Sequence, residues 1–158
     1  MKKIDWKNLS YDDFTGFVAV TAFLLFVLYF GGLWYATYDY RIQMRDQMVE
    51  MYKQLPNPIP PIEDDYGVHQ RWLVFYIDGV KVLNKPQPEN VINEYKKALE
   101  KEGWATEREY EHVRNDKNKI YGINMRKGEF ILSVSARENR DSINIHLIKR
   151  DWIYNKGF

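Results

Sequence analysis

FTGFVAVTAFLLFVLYFGGLWYATY, residues 14–38, carries no charged side chain and decides how the rest of the chain is read. Its 25 residues rise about 37 Å as a helix, against a hydrocarbon core of about 30 Å. The run is therefore expected to cross a bilayer once, with some tilt. Trp6 and Tyr11 lie before its apolar centre, and Trp34, Tyr35, Tyr38 and Tyr40 after it, where amphipathic rings prefer the headgroup level.

Two other readings of the same stretch are weaker. Lys2, Lys3 and Lys7 would suit the basic start of a cleavable signal peptide, but the apolar run exceeds a secretory core, and Ala36 stands between Tyr35 and Thr37 where small residues would be needed. Gly16-Phe17 resembles the junction of a type IV pilin-like leader, which implies a structural subunit cut after Gly16. The resemblance covers those two residues alone. Thr21 stands where most pilin-like chains carry a glutamate, and Asp12 and Asp13 replace their basic lead-in.

Working outward, residues 1–13 form a short polar N-terminal segment. The basic count near the two ends of the span is balanced, Lys2, Lys3 and Lys7 against Arg41, Arg45 and Lys53. The amino terminus tips the balance, so the N-terminus is expected in the cytoplasm and the C-terminal domain outside it. Residues 39–55 hold no glycine or proline before Pro56 and should continue as a juxtamembrane helix. Met44, Met48, Met51 and Leu55 recur at spacings of four, three and four, a short a/d-type seam. Either that seam lies on the protein's own domain, or its adaptable thioethers receive a neighbouring helix.

Residues 56–70 begin with Pro56, Pro58, Pro60 and Pro61 and continue through Glu63, Asp64 and Asp65. Proline in this density runs as extended polyproline II, so the segment is expected to be a Pro-rich, acidic linker or stalk. The soluble domain is placed at residues 71–158. Residues 72–77 and 80–83 have strand composition, with Asp78-Gly79 between them as a hairpin turn. Pro88 and Glu89 suit a helix start, and Val91, Ile92, Tyr95, Ala98 and Leu99 form one apolar stripe. Gly103 suits the cap that ends it, with Trp104 packing back.

From residue 105 the period changes to two, giving strands at 106–113, 120–126, 129–137 and 142–149. Their apolar positions would share one face, and Ser133, Ser135, Arg137, Asn144 and His146 the wet one. The fold class is α+β: a transmembrane helix, a juxtamembrane helix, a stalk, and one main helix packed on an antiparallel β-meander.

Chemistry is hard to find in this pattern. With 23 basic against 22 acidic side chains, nothing calls for nucleic acid, and without cysteine there is no thiolate nucleophile or sulfur-built zinc site. His69, His112 and His146 are scattered, and no phosphate loop or nucleophile elbow occurs. No cofactor, metal or catalytic residue is expected. The leading expectation is a non-catalytic accessory or assembly subunit of a larger membrane complex, with other membrane-protein subunits and the lipid bilayer as partners. Met44, Met48, Met51 and Leu55 are its candidate contacts, with Trp152, Tyr154 and Phe158 of the aromatic tail. A sensory or small-ligand module using the wet sheet face or the crevice between helix and sheet, and the pilin-like subunit, are the alternatives.

Overall fold

The computed structural model describes residues 11–71, 74–84, 86–113 and 118–150. The chain divides into two compact units, Met1–Ile42 and Gln43–Phe158.

The first unit is built on α1, Tyr11–Ala36. Within it, Thr15–Ala36 is long and apolar enough to cross a membrane, at 22 residues or about 33 Å. None of that segment is buried, and Leu28 is 70% exposed. Apolar side chains surround the axis on every side, so no face of this helix is suited to water. α1 stops one residue short of α2, Tyr38–Lys53, but the hydrogen bonding carries through. The Thr37 amide donates to the Leu33 carbonyl at 3.0 Å, the Arg41 amide to the Thr37 carbonyl at 2.9 Å, and the Thr37 hydroxyl also reaches the Leu33 carbonyl at 2.8 Å. A hydroxyl competing for a helix carbonyl in this way loosens the ladder locally. The Arg41 guanidinium lies over the Trp34 ring, 3.5 Å from its centroid, and donates to the Trp34 carbonyl at 2.9 Å.

The second unit contains the rest of α2, then β1 (Glu63–Arg71), β2 (Val74–Val82), α3 (Pro88–Lys101), β3 (Ala105–Val113), β4 (Lys119–Lys127), β5 (Phe130–Arg137) and β6 (Ser142–Lys149). The strands form one antiparallel sheet in the order β1-β2-β6-β5-β4-β3. The meander of the last four strands is as the alternation implies. What closes the sheet is β6 returning beside β2, with Ile77 opposite Leu147 and Gly79 opposite Ile145.

One face of the sheet carries the core, including Ile77, Ile123, Met125, Leu132, Val134, Ile145 and Leu147, all almost wholly buried. α3 covers β3, β4 and β5 with Val91, Ile92, Tyr95 and Leu99. Its end follows the expected cap: Gly103 is left-handed at φ +84°, and the Trp104 amide returns to the Leu99 carbonyl at 3.0 Å. The second half of α2 reaches the same face over β1 and β2, where the Tyr52 ring lies 4.8 Å from that of Tyr66.

Three expectations are corrected here. Asp78 and Gly79 are not a turn but lie inside β2, because Gly79 gives the Tyr52 ring its place; a Cβ there would collide with the phenol. Replacing Gly79 with alanine is accordingly expected to destabilise the unit by about 1–3 kcal/mol, as overpacking does, measured by chemical denaturation. The acidic cluster at Glu63, Asp64 and Asp65 is exposed as expected, but it is the start of an edge strand and not a link. The proline-rich segment is no free stalk either. Leu55 is buried, Asn57 bonds Lys81, and the Ile62 amide donates to the Val82 carbonyl at 2.8 Å, so the segment lies against the unit.

Candidate functional site

Among the described residues no element covers the sheet face opposite the helices, and register decides which side chains meet on it. One row crosses five strands as Asp78, His146, Ser133, Asn124 and Arg108, each opposite the next. His146 Nδ1 lies 2.7 Å from Asp78 Oδ1, and His69 Nε2 is 3.8 Å from Asp78 Oδ2, so one carboxylate stands between two imidazoles. The His69 ring stacks on Tyr76 at 5.1 Å, and Tyr76 lies 5.5 Å from His146. Gly67 makes room for His69, since a Cβ there would sit 2.8 Å from Nε2.

Aspartate, histidine and serine in one row invite comparison with a nucleophile and its base. The hydrogen bonds run otherwise: the Ser133 hydroxyl donates to Asn124 Oδ1 at 2.9 Å, which points its proton away from His146. The row is built to hold polar groups in place.

Beyond Asn124 the face opens into a recess of about 550 Å³, lined by Arg108, Tyr110, Glu111, His112, Ile120, Asn124 and Ser135. A second recess of about 210 Å³ shares Ile120 and Ser135 and adds Arg137, Arg140 and Asn144. The Tyr110 ring lies across Gly122, where any Cβ would collide with it, and forms an aromatic wall. Glu111 is held by Lys119 at 2.7 Å, a bond that raises the lysine's pKa. The rest of the lining is dominated by arginine, asparagine and serine. Such a surface recognises carboxylates and backbone carbonyls through charge-assisted and forked hydrogen bonds.

A different polar group lies on the covered face. Lys81 is 1% exposed, pairs with Asp64 at 3.1 Å, donates to Asn57 Oδ1, and has the Tyr52 ring 5.5 Å from its ammonium. The Tyr52 hydroxyl donates to the same carboxylate at 3.1 Å. Burial first, and then the charge of Asp64, push the hydroxyls of Tyr52 and Tyr95 well above the ordinary phenol range. This cluster fastens α2 and the proline-rich segment to the first two strands.

The expected contact residues fall in different places. Met44, Met48 and Leu55 are buried, so that seam is not open to a neighbouring helix; long apolar side chains four apart pack on the nearest core first. Met51 is only half-buried and borders a shallow recess of about 250 Å³ with Gln47, Glu50, Gln54 and Phe130. Trp34, Tyr35 and Tyr38 are exposed where α1 gives way to α2, and Tyr11 is the first residue of α1. Trp6, Trp152, Tyr154 and Phe158 lie outside the described residues.

Comparison with known protein families, with curated proteins and with solved structures finds no match. The described residues define a chain with one apolar helix of membrane-crossing length and an α+β unit that has a bare, donor-rich sheet face.

Proposed function

We propose that this protein is a single-pass accessory subunit of a larger membrane complex, held by α1 and meeting another subunit through the open sheet face. The observation that carries the reading is the apolar helix Thr15–Ala36, none of it buried, while the α+β unit closes a core of its own. Eleven Val, Leu and Phe side chains in that stretch favour a bilayer by about 3–7 kcal/mol in sum. Trp34, Tyr35 and Tyr38, with Arg41 folded over Trp34, suit a headgroup boundary at its C-terminal end. In this reading the N-terminus lies in the cytoplasm, a choice supported only by the terminal amine tipping a balanced basic count.

The two adjoining recesses, one with Arg108 and Asn124, the other with Arg140, and both with Ser135, support the choice of face, because their donors match an acidic segment of a neighbouring subunit. The test is gentle extraction of the tagged full-length chain, native-mass separation, and mass spectrometry of what travels with it. A stoichiometric companion is expected, and an Arg108→Glu/Arg140→Glu variant should lose it while the α+β unit keeps its melting curve. A chain that travels without any other protein defeats the proposal.

A further inference from the structure

The two edges of the sheet differ in what they would do with a second copy of themselves. β3 is one edge. Pairing it antiparallel with its own copy about Glu109 sets Glu109 against Glu109 and Glu107 against Glu111, and its register breaks between Thr106 and Arg108. Like charges directly opposite and bulged backbone are both defences against edge pairing.

β1, the other edge, has an unbroken register over nine residues with Gly67 at its centre. Paired antiparallel about that glycine, every position meets a complement. Glu63 faces Arg71 and Asp65 faces His69 on the open side of the sheet, while Asp64 faces Gln70 and Tyr66 faces Val68 on the helix side. Opposite charges and an aromatic against a β-branched residue are favourable cross-strand pairs. Gly67 meets Gly67, so no Cβ crowds the centre. Glu63, Asp65 and Arg71 are exposed and have no ion-pair partner in their own chain among the described residues.

We infer that two copies of this protein pair through β1 about a two-fold axis at Gly67, joining their sheets into one. A two-fold interface needs a patch that complements itself, which this strand supplies from nine consecutive residues. The inference does not rest on the subunit reading above, since its partner is the same chain and its contact is the sheet edge, not the open face.

The test measures the molar mass of the full-length chain in mild detergent at up to about 0.1 mM. The wild type is expected to be dimeric. Glu63→Arg and Arg71→Glu should each raise the dissociation constant about tenfold or more, because each homodimer then contains two like-charge pairs. Mixed in equal amounts, the two variants should form a heterodimer, since the introduced arginine of one meets the introduced glutamate of the other. Circular dichroism checks that both stay folded. A monomeric wild type overturns the inference, as does a dimer indifferent to both substitutions or a mixture that fails to associate.

Discussion

Asp64→Ala is expected to cost the α+β unit about 3 kcal/mol, read as a lower denaturation midpoint with an unchanged slope. Lys81 lies near the end of β2 on the covered face and keeps 1% of its surface, so its ammonium depends on the groups around it. Removing one partner of a buried pair leaves the other charge uncompensated, at roughly 3–5 kcal/mol. The lower end applies because the Asp64 side chain remains 35% exposed and gives up less hydration on folding. Asn57 and the Tyr52 ring stay beside the ammonium and soften the loss. The companion variant Asp64→Asn/Lys81→Met removes both charges while keeping volume, and should recover most of the stability. A double variant no better than Asp64→Ala would mean that the loss does not come from an uncompensated Lys81 charge.

Leu25→Arg/Leu28→Arg is expected to abolish membrane integration. Each central arginine costs about 2.5–3.5 kcal/mol for insertion, so the pair opposes the segment by about 5–7 kcal/mol. That is comparable with the favourable sum of about 3–7 kcal/mol for its apolar side chains, which the substitution also reduces. Leu25→Ala/Leu28→Ala shortens the same side chains without adding charge and should stay in the membrane. Alkaline carbonate washing of membranes separates the two outcomes: the arginine variant should move to the supernatant and the alanine variant should remain in the pellet. Arginine-bearing chains that stay in the pellet would show that the helix does not carry the attachment.

Where a single physical signal dominates, the sequence is a good guide to this fold. Residues 14–38 have no polar alternative to a long apolar helix, and α1 covers nearly the same span. The stripe Val91, Ile92, Tyr95 and Leu99 is buried in α3, and the last four strands follow the period of two. β1 escapes that logic because an edge strand is wet on nearly every position, so Glu63 to Arg71 shows no alternation to read. Asp78-Gly79 misleads because glycine suits both a turn and a close approach, and only the Tyr52 ring decides between them. Lys81 is hidden for a similar reason: an isolated lysine looks like surface until Asp64 and Asn57 are brought to it.

The open face was legible in part. Ser133, Ser135, Arg137, Asn144 and His146 alternate outward from adjacent strands, and they do share that face. Asp78 reaches His146 from 68 residues away, and Arg108, Tyr110 and Asn124 arrive by the register of β3 and β4. Non-local pairing of this kind leaves no local mark on composition. The methionine seam shows the converse, since its spacing was plain but only burial separates a core contact from a docking surface.

In the proposed arrangement α1 lies in a bilayer with the two ends of the chain on opposite sides. The chain has no cysteine, so single cysteines report position without background. The most direct measurement places one at Lys3, Val20, Leu24, Leu28 or Asn139 in turn and labels sealed membranes with an impermeant maleimide. The prediction is that Val20, Leu24 and Leu28 stay unlabelled even in permeabilised membranes, that Asn139 reacts from the outer side alone, and that Lys3 reacts only after permeabilisation. Helix positions that react as readily as Asn139, or both ends labelled from one side, would contradict it.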